Sequence, residues 1–240
     1  MRIAVGTLFI AAILWLGGSL GTSIRIARND LEPAAIDLLN TPSPSPTPSI
    51  TRPVSEPYTG PLDIFEDPDR PQKLKIDRVM DVLGLAPGKA VADIGAGSGW
   101  FTVRASRRVG ERGSVFAVEI NPEYIKHIEA RAKTENLSNI RTILGKPDDP
   151  MLPEKAVDAV LILKTYHEIE QPIVLMTRLR RSLRDRALVG IIDRNGSGGD
   201  HGIDRKMVID EMSKAGFRLK EEHDFVVGDG MDYFLVFEVK

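Results

Sequence analysis

No cysteine occurs in the chain. That absence excludes disulfide bridges, thiolate zinc sites and a cysteine nucleophile. Neither sign of charge is in excess: 32 Lys and Arg stand against 34 Asp and Glu, a formal net charge of −2. With no basic arm or face, the sequence makes no electrostatic case for a nucleic-acid partner. Histidine is sparse too. The four histidines and the acids show no H-x-x-x-H or comparable ligand spacing, so no metal is expected. What is present is a chain of 240 residues, 42% of them hydrophobic, enough for one domain with a real core and some additional sequence.

The first of that additional sequence is the stretch 3–20, "IAVGTLFIAAILWLGGSL", which carries no charge and lies between Arg2 and the pair Arg25 and Arg28. About 18 apolar residues are just enough to cross a bilayer core as a helix. Residues 1–22 are therefore expected to form a single-pass membrane anchor. A cleaved signal peptide, with Gly17, Gly18, Ser19 and Gly21 near the cut, is the main alternative, and a buried helix is another. A lipoprotein signal would need a cysteine. Arg25 and Arg28 follow the apolar run, which by the positive-inside rule leans toward a cytoplasmic domain; export behind a cleaved signal is the alternative. Residues 23–62 contain "NTPSPSPTPSITRPVSEPYTGP", where proline fixes φ and removes backbone donors, so this segment reads as a stiff linker. The folded domain is expected over 63–240.

Within that domain apolar runs of strand length alternate with helical patterns. Strands are expected at 89–94, 113–120, 139–144, 156–163 and 187–193. Helices are expected at 98–109, at 121–136 with Asn121 as N-cap and Pro122 in the first turn, at 171–183, and at 203–215 before Gly216. "RDRA" at 184–187 reads as a loop. Such alternation implies βαβ units, a parallel sheet and right-handed crossovers. The rhythm changes at the end, where 218–227 and 231–239, joined through "GDG", read as an antiparallel hairpin. The fold class is α/β: a doubly wound, mostly parallel sheet closed by that hairpin.

"VADIGAGSGW", residues 91–100, follows a strand and opens a helix, with glycines at 95, 97 and 99. Glycines there let a ligand lie against bare backbone at the carboxyl end of a first strand. The third glycine comes one residue too early for the dinucleotide fingerprint G-x-G-x-x-G, which disfavours a pyrophosphate seat. Glu119 closes the second strand, in the place where a carboxylate can accept from both hydroxyls of a ribose. A nucleoside ligand without a pyrophosphate fits this set best.

"VADIGAGSGWF", "VFAVEINPEYIKHIEARA", "VDAVLILKTYHEI" and "ALVGIIDRN", in that order, resemble the successive motifs of class I S-adenosylmethionine-dependent methyltransferases over about residues 70–240. The resemblance implies a seven-stranded sheet with a reversed last strand and S-adenosylmethionine as methyl donor. It also implies that Asp93 and the backbone of Gly95, Ala96, Gly97 and Gly99 face the methionine end of that cofactor, that Glu119 holds the ribose, and that Ile120 packs on the adenine. Many relatives carry an acidic residue directly after the glycine that follows strand three. Here Lys146 and Pro147 intervene, and Asp148 or Asp149 is expected to substitute.

Strand four ends in "KTYHEI", which puts Tyr166, His167 and Glu168 at the carboxyl edge of the sheet. His167 is the candidate general base, Tyr166 a candidate to shape the acceptor pocket or lie over the sulfonium, and Glu168 a third polar group there. Asp193 and Arg194, at the end of strand five, are further candidates, and His201 sits in the glycine-rich stretch after them. The expected activity is methyl transfer to a small-molecule acceptor. A catalytically silent cofactor-binding module and a nucleotide-dependent oxidoreductase are the alternatives.

Overall fold

The computed structural model describes residues 52–226, 228 and 230–240. The expected anchor and most of the expected linker fall outside those residues. Among the described residues no helix is long and apolar enough to cross a membrane.

The seven strands are β1 (Ala90–Ile94), β2 (Ser114–Glu119), β3 (Ile140–Leu144), β4 (Val157–Leu163), β5 (Leu183–Arg194), β6 (Phe217–His223) and β7 (Asp232–Val239). They form one sheet in the order β3-β2-β1-β4-β5-β7-β6. Pairing is parallel from β3 through β5 and antiparallel where β7 meets β5 and β6, as the hairpin pattern requires. β1 is buried along its whole length, which is why "AVADI" lacks an alternating pattern: helices cover both faces.

The helices are α1 (Arg70–Lys73), α2 (Ile76–Val82), α3 (Trp100–Val109), α4 (Pro122–Thr134), α5 (Pro172–Leu179) and α6 (Arg205–Lys214). α2 and α3 pack on one face, through Val79, Met80, Phe101 and Val109 against Val91, Val115 and Leu161. On the same side, Ile128 of α4 meets Ala117. α5 and α6 cover the other face through Leu175, Met176, Val208 and Met212. Burying one such side chain stabilises the fold by about 1.5–3 kcal/mol. The start signal at Asn121 holds, its Oδ1 accepting from the Glu123 N–H at 2.9 Å; α6 starts later than expected, where Asp204 caps it through the N–H groups of Lys206 and Met207.

Two expectations change. "RDRA" is no loop between elements but an irregularity inside β5. Val157 pairs with Leu183 while Ala159 pairs with Leu188, so Arg184–Ala187 bulge out opposite one residue, with Arg186 at φ 63°. The second concerns the linker. Residues from Arg52 onward, assigned to it by composition, lie against the domain. The Ser55 N–H donates to the His167 carbonyl at 3.2 Å, and its hydroxyl donates to the Gly198 carbonyl at 2.7 Å. Arg52 is buried, donates to the carbonyls of Tyr166 and Ile169 at 2.8 and 2.7 Å, and pairs with the buried carboxylate of Glu211 at 3.2 Å. A charged anchor at the end of a proline-rich tract is what converts a spacer into a strap.

Candidate active site

The order of the sheet reverses between β1 and β4, and the crevice outside the carboxyl ends of those strands is where ligands bind in such sheets. A cavity of about 760 Å³ opens there. Its floor is the glycine turn after β1. Gly95 adopts φ +73°, and a Cβ on it would stand 2.3 Å from Thr165 Cγ2, so only glycine fits between β1 and the loop after β4. Gly97, at φ +54°, presents its N–H to Glu119 Oε2 at 2.9 Å. The other Glu119 oxygen accepts from the N–H groups of Ile120 and Asn121 at 2.8 and 3.0 Å. Three backbone donors thus hold this carboxylate at the end of β2, on the cavity wall.

Asp93, also on that wall, is 2% exposed and accepts from the Thr102 hydroxyl at 2.6 Å. Burial pushes its carboxyl up to about 6, against the opposing pull of the Thr102 hydrogen bonds. Ala96 and Ile120 line the same space, and Ile120 is 44% exposed, an apolar face open to a flat ring. Gly99 does not line the cavity; at φ +74° it starts α3.

Opposite the glycine turn stands the 3-10 turn Tyr166–Glu168. His167 is buried, and its Nδ1 lies 2.8 and 3.1 Å from the two oxygens of Asp193, which is fully buried at the end of β5. Asp193 also accepts from the N–H groups of His167 and Arg194, at 3.0 and 2.8 Å. An ionised carboxylate only accepts, so Nδ1 carries the proton and Nε2 keeps its lone pair. Nε2 lies 3.8 Å from Glu168 Oε1. Burial pushes the Glu168 carboxyl up to about 7, partly offset by His167 and by the Tyr58 N–H, which donates at 3.3 Å.

Three site expectations are corrected. Tyr166 does not line the cavity; it is fully buried in the core, with the Arg52 guanidinium 5.4 Å from its ring centroid. Adjacent residues of one tight turn point different ways, and here the core takes the tyrosine while the cavity takes His167 and Glu168. Asp148 and Asp149 do not reach the cavity either. Asp148 pairs with Arg178 at 2.6 Å, and Asp149 accepts from the Met151 N–H at 2.8 Å. Lys146 and Pro147 line the cavity at that point instead. The turn 146–149 closes on itself through backbone hydrogen bonds, which aims both aspartates at α5.

The sequence offers Asp193 only as a further candidate and does not point to Tyr58, Phe65 and Thr165, which wall the cavity. The first was legible as an acid at a strand end. The others arrive from the strap and from the turn after β4, and no local pattern announces them. The histidines and acids were read as unsuited to metal from their spacing along the chain, yet His167, Glu168 and His201 bring their ligand atoms within 4.8 Å of one another.

The cavity fits S-adenosylmethionine on this chain's own features: a bare-backbone turn, a backbone-held carboxylate at the end of β2 and an exposed apolar side chain beside it. Residues 91–186 match a family model described as a methyltransferase domain. A tRNA (adenine(58)-N(1))-methyltransferase of Thermus thermophilus is 30% identical over 146 residues, 60% of this chain and 54% of that protein. A protein-L-isoaspartate O-methyltransferase of Pyrococcus horikoshii is 27% identical over 96 residues, 40% of this chain and 43% of that one. The chain therefore spans about half the length of the curated relatives it matches. The crystal structure of a SAM-dependent methyltransferase from Aquifex aeolicus superposes with a TM-score of 0.68 at 23% identity, covering 75% of this chain and 97% of that one. Fold, glycine turn and sequence match agree: residues 91–186 match a methyltransferase domain, set in a sheet with the fold of an S-adenosylmethionine-dependent methyltransferase.

Proposed function

We propose that this chain transfers a methyl group from S-adenosylmethionine to a small acceptor bound between the glycine turn and His167. The observation that carries the reading is the convergence, in one cavity, of Glu119 and the bare backbone of Gly95 to Gly97 with the Asp193-oriented imidazole. S-adenosylmethionine supplies an electrophilic methyl on a sulfonium when bound. The chain's own task is then in-line positioning and handling of the acceptor's proton. Glu119 and Ile120 hold the nucleoside end, and Asp93 with the Gly95–Gly97 backbone the amino-acid end. Asp193 positions His167 so that Nε2 acts on the proton-bearing atom of the acceptor.

A small acceptor is supported by the strap, since Tyr58, Ile64 and Phe65 wall the cavity and leave partly apolar space of limited size. The tRNA and protein acceptors named for the relatives belong to proteins matched here over only 54% and 43% of their length. The apolar stretch 3–20 and Arg25 and Arg28 support a domain held at the cytoplasmic side of a membrane. Isothermal titration of the full-length chain with S-adenosylhomocysteine and with NAD tests the cofactor: NAD binding with silence toward the sulfur nucleoside would overturn the reading. Incubation with labelled S-adenosylmethionine and fractionated cell extract identifies the acceptor, and label entering only RNA or protein would refute a small one.

A further inference from the structure

The acceptor end of the cavity gathers three side chains of metal-ligating type. His167 and Glu168 come from the turn after β4, and His201 from the glycine-rich loop after β5. Their ligand atoms all lie within 4.8 Å of one another, and the His167 and His201 rings meet edge to face with centroids 5.9 Å apart. A second observation concerns how His167 is held. Its Nδ1 is bound by the fully buried Asp193 carboxylate at 2.8 Å, which turns the lone pair of Nε2 toward Glu168 and the cavity. Metal-ligating histidines almost always have this outer carboxylate or carbonyl, because it fixes the tautomer and ring orientation and raises ligand basicity.

We propose that His167, Glu168 and His201 form a binding site for a first-row divalent transition cation, with Asp193 as its positioning residue. Two imidazoles and one carboxylate suit zinc, cobalt, manganese or iron better than magnesium or calcium, which take all-oxygen sets. Ligands about 2.0–2.2 Å from a tetrahedral ion lie about 3.5 Å apart, so the trio must tighten by about 1 Å. His201, exposed and carried by a loop, supplies that movement; its main-chain N–H is tied to the strap through Ser55 Oγ at 3.1 Å. Three protein ligands leave an open position, and an acceptor hydroxyl oxygen is the donor that fits it. With the ion in place Nε2 is a ligand and no longer takes the proton itself; an acceptor oxygen bound there becomes more acidic and gives its proton to solvent water. The acceptor class this implies, an oxygen-donor small molecule, rests on the methyl-transfer reading, whereas the cation site itself does not.

The test is a Co²⁺ titration of the full-length chain, free of any histidine tag and kept in mild detergent, followed by visible absorption with Zn²⁺ as competitor. The expected result is one Co²⁺ per chain, displaced by Zn²⁺. Affinity should fall at least tenfold in His201→Ala and in Glu168→Gln, and about 10–100-fold in Asp193→Asn. S-adenosylhomocysteine binding, measured on the same samples, reports whether each variant is folded. No Co²⁺ signal from the unaltered chain overturns the site. So does equal Co²⁺ affinity in His201→Ala and Glu168→Gln, which would assign the ion to other histidines. Failure of the unaltered chain to bind S-adenosylhomocysteine would sink the methyltransferase reading and leave the Co²⁺ result standing by its own numbers.

Discussion

Replacing Asp93 by Asn should make the ligand-free protein more stable and a poorer cofactor binder. In the folded chain the Asp93 carboxyl titrates near 6 because it is buried, against an ordinary 3.8. The gap of about two pH units corresponds to about 3 kcal/mol of native-state cost once the group is ionised on both sides of the folding equilibrium. The sign follows from proton counting. Between 3.8 and 6 the folded state holds more protons than the unfolded one, so stability falls as pH rises through that window and then levels off. Asn keeps an oxygen for the Thr102 hydroxyl, which donates to Asp93 at 2.6 Å, but adds two amide donors, a term of about 1–3 kcal/mol if they stay unpaired. The expected net gain is about 0–2 kcal/mol at pH 7.5, or up to roughly 8 °C in Tm for a domain of this size. The charge part of the difference should halve by about pH 5. Thermal melts of both proteins at pH 5, 6 and 7.5 read this directly. S-adenosylhomocysteine affinity should drop by about 1.5–3 kcal/mol, as for a hydrogen bond to a charged group. A variant that melts lower than the parent by the same margin at all three pH values would refute the argument, because the carboxylate would then be contributing structure rather than strain.

Glu119→Ala removes a carboxylate that caps three backbone N–H groups and that the proposed reading sets against the nucleoside, and calorimetry should show S-adenosylhomocysteine affinity weakened by about 1.5–3 kcal/mol. His167→Ala should lower turnover about 10²–10⁴-fold with S-adenosylhomocysteine affinity unchanged, and a comparable loss of affinity would place the imidazole against the cofactor instead. Arg52→Ala strands the Glu211 carboxylate, 2% exposed, without its partner, so denaturant unfolding should report a loss of about 3–5 kcal/mol. A chain starting at Asp63 should lose as much, and unfolding midpoints that do not move in either case would make the strap an incidental contact.

Asp93, Gly95, Gly97 and Glu119 were legible from sequence because their functional demand is local. A strand must end where the turn begins, the turn needs positive φ, and the next strand's last residue falls beside it by sheet register: Asp93 pairs with Ala117 and Ile94 with Val118, so Glu119 follows at the edge. The α/β class and the closing hairpin follow from periodicity in the same way. Tertiary structure decided the rest. Whether Tyr166 or His167 faces the cavity depends on what fills the core beneath their turn, which is Arg52, more than a hundred residues away in the chain. The pairing of His167 with Asp193 and the approach of His201 depend on β4 and β5 lying side by side. The turn of Asp148 and Asp149 toward α5 depends on where Arg178 stands. Each of these is a contact between segments whose own patterns are satisfied either way, so local chemistry allows several outcomes and only the packing of the whole chain selects one.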